Sequence, residues 1–142
     1  MTIGRLMEAR TGEVITCTAQ ATVEEAVILL AERQIGALPV LDDGQVAGIF
    51  SERDVIRQLR QHGPAMVNLK VCDVMTAPAV TVETGTSVLA ALSLMTRRRI
   101  RHLPVVENGR MLGFISIGDL VKYRIERIES EAEAMRAYIQ TA

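Results

Sequence analysis

Apolar residues at Val23, Ala26, Val27 and Leu30 recur in steps of three and four, which predicts a helix over 23–33 with one apolar face. Thr22 just before it is an N-cap type, and Glu25 stands at the capping-box position. Two short apolar runs follow, 37–41 and 45–50, separated by Asp42-Asp43-Gly44, residues suited to a tight hairpin turn. A further helix is expected from Ser51, with Asp54 in its first turn. Ahead of these elements, 14–18 reads as a short strand.

The same pattern returns 65 residues later. Aligning Thr22 to Arg57 with Ser87 to Lys122 needs no gap and makes 12 of 36 pairs identical, where unrelated sequences give about two or three. Leu38-Pro39-Val40 recurs as Leu103-Pro104-Val105, and Gly44, Gly48, Ser51 and Asp54 recur as Gly109, Gly113, Ser116 and Asp119. The second copy thus predicts a strand over 79–83, a helix from Ser87, a hairpin turning at Glu107-Asn108-Gly109 and a helix from Ser116. Each copy is strand, helix, strand, strand, helix. One helix pair cannot cover both faces of so small a sheet, so two copies are expected to pack about a pseudo-twofold axis in an α/β (α+β) globule.

Between the copies, His62-Gly63-Pro64 stops a helix and 70–75 starts a short one. Past the second copy the apolar spacing continues through Val121, Ile125, Ile128, Ala132, Met135 and Ile139 in steps of four, three, four, three, four. That is a coiled-coil seam on an extended C-terminal helix, and it predicts a homodimer built partly by this helix. The chain divides as 1–65, the first repeat with its N-terminal segment, 66–125, the second repeat, and 126–142, the helical extension.

Composition narrows the possible functions. Sixteen Lys and Arg against 17 Asp and Glu leave a formal charge of −1, so no global field draws the chain to nucleic acid or an anionic membrane. No apolar run is long enough to span a bilayer and no signal-peptide pattern opens the sequence, which points to the cytoplasm. Cys17 and Cys72 read as free thiols of a reducing compartment. With His62 and His102 they lack the close spacing of a metal site, so no metal is assigned. There is no GxSxG, Walker A or GxGxxG motif, and an enzyme is not expected. Arg97-Arg98-Arg99 sit where a helix C-terminus favours positive charge.

The duplicated segments Ile35-Gly-Ala-Leu-Pro-Val40 and Ile100-Arg-His-Leu-Pro-Val105, followed by Gly48-Ile-Phe-Ser-Glu-Arg-Asp54 and Gly113-Phe-Ile-Ser-Ile-Gly-Asp119, resemble the CBS domain. Its tandem pair is often called a Bateman module, and the likeness spans nearly the whole chain. The resemblance implies a regulatory protein that holds an adenosine ligand in the cleft between the repeats: AMP or NAD(H) first, with ADP, ATP or S-adenosylmethionine as further candidates. It implies ribose contacts from Asp119 or Asp54, hydroxyl and amide contacts from Ser116 or Ser51, and adenine contacts at Thr81 or Thr16.

The expected main site is Thr81, Ile100, Arg101, His102, Pro104, Ser116 and Asp119, with Arg53 reaching across to phosphate. The expected second, weaker site is Thr16, Gly36, Ala37, Pro39, Ser51 and Asp54. A carboxylate at a helix start suits a ribose diol, and guanidinium forks suit phosphate. Helix capping alone would also explain each Ser-x-x-Asp pair. The alternatives are an interaction scaffold with a vestigial cleft and, behind it, a metal-binding pair of the same family. An effector protein that reads the ligand-bound state is expected but not identifiable.

Overall fold

The computed structural model describes residues 1–10 and 12–141 of the chain. The first repeat contains β1 (Cys17–Thr18), α2 (Val23–Arg33), β2 (Ala37–Asp42), β3 (Gln45–Ser51) and α3 (Glu52–His62), preceded by α1 (Ile3–Glu8). A 3-10 turn over Gly63–Asn68 and α4 (Val71–Val74) lead to the second repeat, α5 (Val88–Arg98), β4 (His102–Glu107), β5 (Arg110–Ser116) and α6 (Ile117–Thr141). Thr22 caps α2, its side chain accepting from the Glu25 amide at 3.2 Å. Ser87 caps α5 in the same way at 3.1 Å.

The hairpins form where the sequence places them. Asp43 and Gly44 take φ of 53° and 79°, and Asn108 and Gly109 take 51° and 77°. Positive φ at both central residues is the turn whose twist matches paired strands. β2 pairs antiparallel with β3, and β4 with β5, each ladder slipping by one residue at the same place, Val40/Leu41 and Val105/Val106.

The first strands are shorter than the pattern predicts. β1 is two residues long and pairs parallel with β2 through Cys17↔Val40 and Thr18↔Leu41. In the second repeat the expected strand over 79–83 is a single parallel bridge, Val82↔Val105. The reason is visible at the next backbone donor. The Ala19 amide donates to the Leu41 carbonyl at 2.9 Å, whereas its counterpart, the Thr84 amide, donates to the Glu107 carboxylate at 2.9 Å. A side-chain acceptor has replaced the ladder. These hydrogen bonds from Thr84 also hold the Glu107 carboxyl below its ordinary range.

Packing exchanges the connecting segments. Met66, Val71 and Val74 fill the core of the first repeat with Val23, Leu38, Val40 and Phe50. Ile3 and Leu6 of α1 fill the core of the second, beside Val88, Met95, Leu103, Val105 and Leu120. Each large aliphatic side chain so buried contributes about 1.5–3 kcal/mol. Backbone bonds fix the exchange: the Gly4 amide donates to the Thr84 carbonyl at 2.9 Å and the Val71 amide to the Ala21 carbonyl at 2.8 Å. Sequence order and core membership therefore differ for both connecting segments.

Candidate functional site

The cleft between the repeats holds two cavities. Ser116 and Asp119, at the start of α6, line one of about 520 Å³ with Met7, Arg10, Gly12 to Ile15, Ile35 and Phe114. Ser51 and Asp54, at the start of α3, line another of about 460 Å³ with Arg53, Arg57, Thr76, Pro78 to Val80 and Arg98 to Arg101. Both volumes lie within the usual range of about 300–1,000 Å³ for small-molecule sites. Gly36, Ala37 and His102 line both cavities and form their common wall.

The two carboxylates differ in what they have left to offer. Asp54 is 1% exposed. Its Oδ2 accepts from the Ser51 amide at 2.8 Å and the Ser51 hydroxyl at 3.2 Å, and its Oδ1 accepts from the Thr76 hydroxyl at 3.0 Å and from Arg57. Both oxygens are engaged by the protein. Asp119 keeps 30% of its side chain exposed. Its Oδ2 accepts from the Ser116 amide at 2.8 Å and from Arg10 at 3.1 Å. Among the described residues no donor is bonded to its Oδ1. The Asp119 amide in turn donates to the Ser116 hydroxyl at 3.1 Å, a reciprocal cap that fixes the carboxylate at the helix start.

Glycines admit the segments that close each cavity. A Cβ on Gly48 would lie 2.7 Å from the Thr76 carbonyl oxygen, and it is this approach that lets Ile49 and Thr76 exchange two backbone bonds of 2.9 Å. A Cβ on Gly113 would instead meet the flexible tip of Met7. The same glycine in the two repeats thus accepts a backbone in one and a side chain in the other.

His102 stacks on Phe114, with ring centroids 5.3 Å apart. Burial lowers its pKa most, Asp119 raises it, Arg101 lowers it and Glu52 raises it, with a net fall from the ordinary 6.5. Arg53 donates to the Arg99 carbonyl at 3.1 Å, a bond from one repeat to the other. The Arg97 to Arg99 run sits at the end of α5 as expected, but Arg98 and Arg99 also line the Asp54 cavity.

The structure regroups the residues expected from sequence. Ser116, Asp119 and His102 do share a cavity, but Ile100, Arg101 and Arg53, assigned to the same site, stand in the Asp54 cavity. Gly36 and Ala37, assigned beside Asp54, face both cavities. Pro39 and Pro104 are buried in their strands, and Thr16 and Thr81 line neither cavity. Thr16, inside the strand expected over 14–18, lies outside it, since β1 begins at Cys17. The cause is that the lead-in segment of each repeat lies against the helix start of the other: Gly12 to Ile15 reach Asp119, and Thr76 to Val80 reach Asp54.

Arg10, Arg57 and Thr76 were not singled out by the sequence reading. For Thr76 a signal existed, because Thr76 and Thr81 match Thr11 and Thr16 at the same 65-residue offset. For Arg10 none did, as its counterpart is Met75.

Among the described residues no helix is long and apolar enough to cross a membrane. The chain is similar to the mitochondrial CBS domain-containing protein CBSX3 of Arabidopsis thaliana, 39% identical over 134 residues, which cover 91% of this chain and 65% of that protein. It thus spans just under two thirds of that relative's length. Among solved structures it resembles the CBS-domain containing protein ATU1752 from Agrobacterium tumefaciens, with 37% identity, a TM-score of 0.81, and coverage of 87% of this chain and 92% of that one. The CBS domain pair of protein MJ0100, solved in complex with 5′-methylthioadenosine and S-adenosyl-L-methionine, shares the fold at 21% identity and a TM-score of 0.77, over 89% of this chain and 98% of that one. The CBS domain model matches residues 4–61 and 71–126, so the chain belongs to the CBS-domain family and carries two copies of the domain.

Proposed function

We propose that this CBS pair is a regulatory sensor that binds one adenine nucleotide, with the nucleoside in the Asp119 cavity and the phosphate directed past His102. The observation that carries this reading is the difference between the carboxylates. A ribose diol needs an acceptor with open lone pairs, and Asp119 has one where Asp54 has none. Charge supports the direction of the phosphate. Five arginines and two carboxylates line the Asp54 cavity, while Arg10 alone stands with Glu13 and Asp119 in the other. The small residues Gly36 and Ala37 in the common wall leave room for an anion to approach Arg53 and Arg101, each such contact contributing about 1.5–3 kcal/mol.

AMP or NAD(H) suits this arrangement best, with ADP or ATP extending further along the arginines. The adenosine ligands of the MJ0100 pair are of the same class, so S-adenosylmethionine belongs in the same test. A ligand lying against both repeats would favour one angle between them, by its differential affinity for the two arrangements, and an effector protein would read that angle. We place the protein in a reducing compartment on its free thiols, Cys17 and Cys72, with the cytosol as first choice and the mitochondrial matrix, by the name of the Arabidopsis relative, as second.

Calorimetric titration with AMP, ADP, ATP, NADH and S-adenosylmethionine tests the reading. Asp119→Ala is expected to weaken the preferred ligand at least tenfold, and Arg101→Gln to abolish the preference for AMP over adenosine. Unchanged affinity in a folded Asp119→Ala protein would remove the ribose assignment. Binding of none of the five at millimolar concentration would leave the interaction scaffold in its place.

A further inference from the structure

We infer that α6 joins two copies of this chain as a parallel, in-register coiled coil. The helix runs unbroken from Ile117 to Thr141. Leu120 is buried in the second repeat and Tyr123 packs against that core, but every described residue from Ile125 onward is exposed. That free stretch is about 25 Å long at 1.5 Å per residue. Most helical stability in proteins comes from packing an amphipathic face, and on this stretch that face is apolar and exposed: Ile125 and Ile128 are each 50% exposed, Met135 60% and Ile139 65%.

The heptad frame is set by the spacing. Steps of four, three, four, three, four put Val121, Ile128 and Met135 at d and Ile125, Ala132 and Ile139 at a. The flanking positions then identify the occupant. Lys122, Glu129 and Arg136 fall at e, and Arg124 and Glu131 at g.

In a parallel in-register pair each g residue faces the e residue five positions on in the other helix. Arg124 thereby meets Glu129, and Glu131 meets Arg136, each twice by symmetry. Every one of these contacts joins opposite charges. The antiparallel pairing that keeps the same apolar layers sets Ile125 against Met135, and it brings Glu129 to Glu129, Glu131 to Glu131 and Lys122 to Arg136. All three are like-charge contacts. Such flanking charges select partner and orientation in coiled coils. Arg127, outside the seam at c, pairs with Glu131 of its own helix at 3.3 Å and so steadies one flank. The inference does not depend on the nucleotide reading.

Sedimentation equilibrium and thiol cross-linking of the full chain test it. The wild type should be an oligomer at micromolar concentration. Glu129→Arg, which sets Arg124 against a second guanidinium twice per dimer, should weaken association about tenfold. Adding Arg124→Glu should restore it, which only the parallel pairing allows, since an antiparallel pair would still set the two introduced guanidinium groups against each other. In a Cys72→Ser background, Met135→Cys should form a disulfide dimer on mild oxidation, since residue 135 meets itself only in register. A monomeric wild type would overturn the proposal. So would association indifferent to Glu129→Arg, or cross-linking that requires Ile125→Cys on one copy and Met135→Cys on the other. Circular dichroism of each variant separates loss of association from loss of fold, because none of these helix positions is buried in the single chain.

Discussion

The two repeats share a Ser-x-x-Asp helix start yet have come to use it differently. In the first, Asp54 is a structural anchor: Ser51, Thr76 and Arg57 occupy its oxygens and bury it against the linker. In the second, Lys122 stands where Arg57 does, and the cation on Asp119 comes from Arg10 of the N-terminal segment, which is itself half exposed. One repeat has turned the motif inward to fasten the linker, while the other keeps it at the cleft. Duplication supplied two equivalent carboxylates, and the segment lying over each one set its role.

The widest separation between the repeats is expected in stability. Asp54→Ala leaves the Thr76 hydroxyl, the Ser51 amide and Arg57 without their shared acceptor, and should cost about 2–3 kcal/mol. Asp119→Ala removes a solvent-accessible carboxylate and should cost under about 1 kcal/mol. Urea denaturation of both variants measures the difference. Equal losses would mean that Asp119 is as deeply structural as Asp54.

Next in size is the glycine pair. Gly48→Ala forces a methyl against the Thr76 carbonyl, which cannot yield without breaking its bonds to Ile49, so a loss of about 2 kcal/mol is expected. Gly113→Ala meets the end of the Met7 side chain, which can change rotamer, and should cost under about 1 kcal/mol. Thermal unfolding of the two variants would rank them. A larger loss at Gly113 would place the rigid closure in the wrong repeat.

Local signals made much of this fold legible. Helices 23–33 and 52–62, both hairpins and the stop at Gly63 follow from spacing, caps and turn residues. What the sequence hid is non-local. Nothing in Ile3 or Leu6 says that they fill the second core, and nothing in Val71 or Val74 says that they fill the first. The same crossing regrouped the expected site, because Arg101, expected in the same repeat's site as Asp119, lines the Asp54 cavity. The overlong strands have a related cause: Val14 and Ile15 are apolar because they line a cavity, and Thr84 ends its ladder on a side chain.

A smaller effect should appear with pH. His102 has no titratable counterpart, since Ala37 occupies its place in the first repeat. Burial holds its pKa below the ordinary 6.5, so the neutral ring is the native form. Its stabilising contribution is complete above about pH 6.5 and is lost as pH falls through the lowered value, because the unfolded chain then binds the proton more readily. The melting temperature of the wild type should therefore fall more between pH 7.5 and 5.5 than that of His102→Gln. Identical slopes would show that protonation of this ring does not distinguish the repeats.

The smallest effect tests a buried position where the first repeat carries a thiol and the second an aliphatic side chain. Cys17 pairs with Val40 as Val82 pairs with Val105, and both side chains are buried. Burial, with Glu25 adding to it, pushes the Cys17 thiol up to about 11. It is therefore protonated and unreactive at neutral pH, and it acts as a small apolar side chain in the core. Cys17→Val, which copies the second repeat into the first, should change stability by less than about 1 kcal/mol. Alkylation of the native protein should accordingly modify Cys72, which is only half buried, and leave Cys17 unmodified until the chain unfolds. Mass spectrometry of a time course in iodoacetamide separates the two sites. Modification of Cys17 at the rate of Cys72 would mean that the first repeat opens readily around β1, and the contrast between a closed first repeat and an open second would fail.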